Sequence, residues 1–149
     1  MAGQGLYDDL IMDHIRNARN YRVLEGSNCT ATGRNPLCGD ELTVYLRLGA
    51  GKVEDVSFQC EACGISMASA SIMTELVKGI AAADVRALIR KFVSALDGRA
   101  ALPHQDAAVG QLAILGTIRT FPARSRCAVL PWATLEAALD GREDAVFVR

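Results

Sequence analysis

The sequence predicts an α+β fold in which a small antiparallel three-stranded sheet packs against about five helices. Two patterns carry that expectation. From Glu41 to Cys60, apolar residues recur at every second position on either side of a Gly49-Ala50-Gly51 turn, the signature of a β-hairpin. Elsewhere they recur every third and fourth position, as on amphipathic helices.

The first helix is marked by Tyr7, Leu10, Ile11, His14, Ile15 and Ala18, which share one face. His14 lies inside that stripe with nothing paired to it in sequence, so it reads as a packed or orienting histidine rather than a metal ligand. Residues 20–35 are rich in Gly, Asn, Ser and Thr and are expected to be irregular, with one short strand around 21–24. In the hairpin, Leu42, Val44, Leu46 and Leu48 alternate with Glu41, Thr43, Tyr45 and Arg47. The return strand alternates Val56, Phe58 and Cys60 with Asp55, Ser57 and Gln59. Opposed residues of an antiparallel pair point the same way, so burying both apolar sets fixes the register. A two- or three-residue loop then places residues 38–40 opposite residues 60–64, and Cys60 points inward with Val56 and Phe58.

Residues 65–78 form a helix rich in small side chains (Met67, Ala68, Ala70, Met73) that Gly79 stops. Asp84 is expected to cap a further helix carrying Val85, Leu88, Ile89, Phe92, Val93 and Leu96, ended by Gly98. Residues 99–111, with Pro103 and a solvated His104, read as a surface connection, and residues 112–115 as a helical turn. The last helix is expected over residues 127–139, before Asp140-Gly141. Pro131 should kink it or stand at its first position. Residues 146–148 are too short to assign. No repeat, low-complexity stretch or boundary interrupts residues 1–149, which read as one domain.

Half the 149 residues are hydrophobic, 22% are charged and the net charge is −1, a globular composition. That balance offers no basic footprint for nucleic acid and no polybasic surface for a membrane. No apolar run approaches the roughly 20 residues a bilayer requires. Asp8, Asp9 and Asp13 stand where a secretory signal needs basic and apolar residues, so a cytoplasmic protein is expected. Five cysteines (Cys29, Cys38, Cys60, Cys63, Cys127) then favour metal or thiol chemistry over paired disulfides, although any one of them can be a small buried hydrophobe.

Cys38-Gly39-Asp40 supplies a thiol and a carboxylate two residues apart, Cys63-Gly64 lies in a strand-to-helix turn, and Cys127 stands near the expected start of the last helix. A thiol at a helix N-terminus, or beside Arg124 and Arg126, has a lowered pKa. Three thiolates and one carboxylate suit tetrahedral Zn²⁺ and equally suit contact with a small iron–sulfur unit. The carboxylate is the harder ligand, which leaves one corner of such a site easier to remodel. Cys60-x-x-Cys63 has the spacing of a redox pair or zinc knuckle, but strand parity assigns Cys60 to packing.

Leu6-Tyr7-x-x-x-Ile11-Met12-Asp13-His14, Asn35-Pro36-x-Cys38-Gly39-Asp40, Cys63-x-Ile65-Ser66-x-Ala68-Ser69-Ala70-Ser71-x-Met73-Thr74 and Phe121-Pro122-Ala123-Arg124-x-x-Cys127-Ala128 together resemble the IscU/NifU-N-terminal family of iron–sulfur cluster assembly. The resemblance runs from about Leu6 to Gly141 and implies a SufE/NifU-like fold. The chain looks like the SufU branch. Arg126 stands where IscU proteins carry a histidine, Phe121-Pro122-Ala123-Arg124-Ser125 replaces their chaperone-docking motif, and the segment between Cys63 and Cys127 is longer than theirs. Cys60 and Ala62 replace glycines usual in relatives, and Ala18 replaces a common proline.

The resemblance implies that Cys38, Asp40, Cys63 and Cys127 bind zinc. It implies further that Cys38 accepts persulfide sulfur from a SufS-like cysteine desulfurase, a pyridoxal-phosphate enzyme, after a partner histidine displaces it from the metal. A zinc-dependent sulfurtransferase passing sulfur to a downstream scaffold is thus the leading expectation. The second is a scaffold that assembles a transient iron–sulfur cluster on the same cysteines for apo-proteins; the missing histidine before Cys127 weighs against it. The third is an interaction module with a structural zinc, which requires an inert Cys38.

Overall fold

The computed structural model describes residues 9–96, 122–142 and 145–148. In chain order they form α1 (Asp9–Arg16), β1 (Cys29–Asn35), β2 (Asp40–Gly49), β3 (Lys52–Glu61), α2 (Gly64–Val77), α3 (Ala82–Leu96), α4 (Pro122–Leu139) and β4 (Val146–Phe147). The class is α+β, as expected, but the sheet differs. It has four strands in the order β3-β2-β1-β4, and β4 joins β1 in parallel, so the sheet is mixed rather than antiparallel and three-stranded. Four helices are described instead of five; the turn expected at residues 112–115 lies outside the described residues, as do Tyr7, Gly98 and His104.

The hairpin forms where alternation placed it. Leu42 faces Cys60, Val44 faces Phe58 and Leu46 faces Val56, and the inward set Leu42, Val44, Leu46, Val56 and Phe58 is buried. Its turn holds one departure. Ala50 and Gly51 both take positive φ (53° and 75°) and close a two-residue loop between Gly49 and Lys52, and the register then shifts beside Arg47 and Leu48. The reason lies in β3. Val53 and Val56 are both fully buried but three positions apart, and simple alternation would point them to opposite faces. One extra residue in the strand, a β-bulge, brings both inward.

The strand expected around residues 21–24 is reduced to a single bridge from Tyr21 to Phe58, and the true first strand is β1, inside the stretch read as irregular. Its inward positions are Ala31, Gly33 and Asn35 rather than large apolar residues. Small residues are needed there because α4 crosses close by: a Cβ on Gly33 would fall 1.9 Å from Thr134 Oγ1. Close packing thus erases the alternation by which a strand is usually recognised.

The helices cover the inner face of the sheet. α2 is buried from Ile65 through Thr74 apart from Met67, and its Ala and Ser residues let α4 approach. Trp132 of α4 is fully buried against Phe92 of α3, with ring centroids 4.7 Å apart. α3 starts at Ala82, so Asp84 lies within its first turn instead of capping it. α4 begins at Pro122, five residues before the expected start, with that proline at the first position and Pro131 inside the helix. Pro122 needs no amide hydrogen there, which makes it a natural helix opener.

α1 is tied to α2 by His14. Its ring is 1% exposed, with Nδ1 2.7 Å from Ser71 Oγ and Nε2 3.7 Å from Glu75 Oε1. His14 is therefore a packed histidine, and burial first and the Arg19 charge second lower its pKa.

Candidate metal centre

The hairpin register carries Cys38 and Asp40 to the end of the sheet where β3 gives way to α2. β1 and β2 are joined by residues 36–39, and Asn35 shapes that turn. Its backbone carbonyl accepts from the amides of Cys38 (3.2 Å) and Gly39 (2.9 Å), and its side-chain Oδ1 accepts from the Leu37 amide at 3.1 Å. Gly39 has φ +73°, a conformation other residues resist. The turn leaves Cys38 exposed, and Asn35 Nδ2 lies 3.6 Å from its sulfur. Asp40, immediately after, is only 5% exposed because it opens β2 facing inward.

The partners of Asp40 come from α2. Cys63 occupies the N-cap position of that helix, and its amide donates to Asp40 Oδ1 at 3.0 Å. The Ser66 hydroxyl lies 2.9 Å from Asp40 Oδ2 and also 2.9 Å from the Cys127 carbonyl oxygen. Cys127, fully buried on α4, completes the group, with its sulfur 3.5 Å from that of Cys38. Ligand-type atoms of Cys38, Asp40 and Cys127 all fall within 4.8 Å of one another. Cys63 adjoins them through its amide, which donates to Asp40 Oδ1, but its sulfur stands outside that group. Three of the four expected residues thus present ligand-type atoms together, with Cys63 beside them at the head of α2. Cys60 stands apart. It is half-buried with its sulfur 3.9 Å from Met67 Sδ, and burial pushes its thiol up to about 11.

The acidified thiol is not the one expected. Because α4 starts at Pro122, Cys127 sits well inside the helix, and its pKa is raised: its proton is held by hydrogen bonding to Cys63, and burial disfavours charge. Cys63 gains from the same bond. The Cys127 thiol, and then the Ser66 backbone and hydroxyl, bring it down to about 6 against burial and the Asp40 charge.

Two contributors, Asn35 and Ser66, had no role in the residue-level reading. An asparagine before proline at a strand end is an Asx-turn signal, and a serine three residues after a helix-opening residue faces that helix's first turn. Both signals are present in the sequence, but neither says what the side chain touches.

Exposed and buried thiols thus lie beside a carboxylate at one end of a mixed sheet backed by α2 and α4, which makes this the candidate functional site. The chain belongs to the NifU-like N-terminal domain family, which it matches over residues 6–128. It is 37% identical to the zinc-dependent sulfurtransferase SufU of Bacillus subtilis over 93% of this chain and 92% of that protein. It is 31% identical to the iron–sulfur cluster assembly scaffold protein IscU of Thermotoga maritima, over 93% of this chain and 96% of that one. Among solved structures, a putative iron–sulfur cluster assembly scaffold protein for the SUF system from Fervidobacterium islandicum superposes with a TM-score of 0.83 at 28% identity, covering 91% of this chain and 99% of that one. The protein is a SufU-like member of this iron–sulfur cluster assembly family. No helix among the described residues is long and apolar enough to cross a membrane.

Proposed function

We propose that the chain is a zinc-binding sulfur acceptor of iron–sulfur cluster biogenesis, which takes persulfide sulfur from a cysteine desulfurase onto Cys38 and relays it to a downstream scaffold or apo-protein. One observation carries this reading: Cys38 is exposed, while Asp40 and Cys127, whose ligand-type atoms lie within 4.8 Å of its sulfur, are buried. The name of the B. subtilis relative supports it. Cys38 and Cys127 would hold zinc through sulfur and Asp40 through an oxygen, with the nearby Cys63 sulfur brought in as the fourth donor, a set whose chemistry suits tetrahedral Zn²⁺. When bound, the ion stabilises thiolates at neutral pH.

In the transfer, the Cys38 thiolate attacks the outer sulfur of the desulfurase persulfide R–S–SH. A new S–S bond forms at Cys38, the old one breaks, and R–S⁻ leaves, giving Cys38–S–SH with no net oxidation. The turn built by Asn35 and Gly39 presents the nucleophile outward, with Leu37, 72% exposed, beside it. Cys63, Cys127 and Asp40 stay behind it.

The test compares the parent protein with Cys38→Ser, each incubated with a SufS-like desulfurase and free cysteine. Intact-mass measurement is expected to find one added sulfur on the parent and none on the variant, with stimulation of the desulfurase lost. Stimulation that survives Cys38→Ser overturns the relay. The IscU relative supports a second reading, a cluster scaffold using the same residues. Anaerobic purification separates the two: a colourless protein with one zinc fits the acceptor, and a brown one the scaffold.

A further inference from the structure

We propose that Ser66 is the positioning residue of this cluster, its hydroxyl fixing the Asp40 carboxylate against the Cys127 segment of α4 at the point where Pro131 offers that helix no amide hydrogen. Where it concerns metal, the inference rests on the ligand set proposed above.

The geometry begins with Pro131. Inside α4, a residue at position 131 would donate its amide to the carbonyl four residues earlier, which is that of Cys127. Proline has no hydrogen to donate, and its ring crowds the same carbonyl. The Ser66 hydroxyl approaches from α2 and meets that oxygen at 2.9 Å. The same hydroxyl is 2.9 Å from Asp40 Oδ2, so its single hydrogen is shared between two acceptors, and the Cys63 amide donates to Oδ1 at 3.0 Å. Both oxygens of Asp40 are therefore addressed from the first turn of α2. The Ser66 oxygen is also 3.8 Å from the Cys63 sulfur. One fully buried side chain touches three of the four residues of the cluster. A carboxylate ligand held by such outer contacts is pre-aimed, and their removal typically weakens metal binding about 10–100-fold.

Ser69 provides an internal control. One helical turn further along α2, its hydroxyl donates to the Ala128 carbonyl at 2.7 Å and accepts from Trp132 Nε1 at 3.2 Å. It is as buried as Ser66 and ties the same two helices. Among the described residues, the hydrogen bonds of Ser69 go to Ala128 and Trp132 and not to Asp40 or a cysteine of the cluster.

The experiment measures zinc affinity by chelator competition for the parent, Ser66→Ala and Ser69→Ala. Ser66→Ala is expected to weaken binding about 10–100-fold, whereas Ser69→Ala lowers the melting midpoint but keeps affinity near that of the parent. Unchanged affinity in Ser66→Ala, or equal losses in both variants, overturns the positioning role. A second measurement uses metal-free protein and a double-mutant cycle with Pro131→Ala, which gives Cys127 an amide partner within its own helix. Ser66→Ala should lower the melting midpoint more beside Pro131 than beside alanine; equal shifts overturn the link to the proline. A parent protein that binds no zinc would defeat the metal reading alone, and the cycle would still decide the Ser66 contact.

Discussion

Cys38 and Cys127 have sulfurs 3.5 Å apart but belong to opposite kinds of structure. Cys38 stands on an exposed four-residue turn built by an asparagine side chain and a positive-φ glycine. Cys127 is buried in the seam between α2 and α4, where hydroxyls of Ser66 and Ser69 stitch one helix to the carbonyls of the other. The contrast separates two tasks. The seam holds its groups in one geometry, because buried polar atoms are costly to leave unpaired. The turn makes few demands on the fold and leaves its sulfur open to a partner's chemistry. The sulfur acceptor proposed above would use both, and they come from different elements meeting at the end of the hairpin.

The sharpest way to break this contrast is alkylation of native, metal-free protein, followed by peptide mass mapping. Cys38 is expected to be modified readily and Cys127 only after unfolding. Native labelling of Cys127 at a rate like that of Cys38 would mean that the seam is open.

The next effect strikes the seam from behind. Gly33→Ala places a methyl group against Thr134 on the helix that carries Cys127. Such overpacking should cost about 1–3 kcal/mol in denaturant unfolding and loosen Cys127, raising its alkylation rate. The turn bearing Cys38 lies outside that contact, so its labelling should change little. If stability is unchanged, α4 does not press on β1 as described.

The smallest effect tests the far end of α2, where His14 is buried against Ser71. Burial and Arg19 lower its pKa in the folded chain, while Glu75 and Asp13 act weakly the other way. As pH falls below the ordinary histidine value of about 6.5, the unfolded chain takes a proton that the folded chain resists, so unfolding gains. His14 therefore contributes no penalty above that pH and a growing one below it. Melting midpoints of metal-free protein should fall between roughly pH 7 and pH 5, and less so in His14→Gln. Parallel curves for the two proteins would assign the slope to other groups.

Much of the site was legible because alternation is regular from Leu42 to Leu46 and at Val56 and Phe58, the end of the hairpin away from the bulge. Burying Leu42, Val44 and Leu46 with Val56 and Phe58 leaves only the registers of a two- or three-residue loop, and either sets residues 38–40 opposite residues 60–64. β1 was hidden by Ala31 and Gly33, small because α4 presses on them. The acidity was misassigned because it depends on where a helix begins and on which thiol lends its proton. A start at Pro122 moves Cys127 into the helix interior, and the lowered pKa falls to Cys63 at the head of α2.

Local periodicity in the chain itself thus determines the hairpin, the helical stripes and the nearness of residues 38–40 to residues 60–64, while the family resemblance implied that Cys127 joins them. Packing determined the fourth, parallel strand, the division between an open and a sealed thiol, and the place of Ser66 between Asp40 and the Cys127 carbonyl. These depend on distances between residues far apart in the chain, which no local pattern records. Only when α4 settles against α2 and β1 do those atoms come within hydrogen-bonding reach.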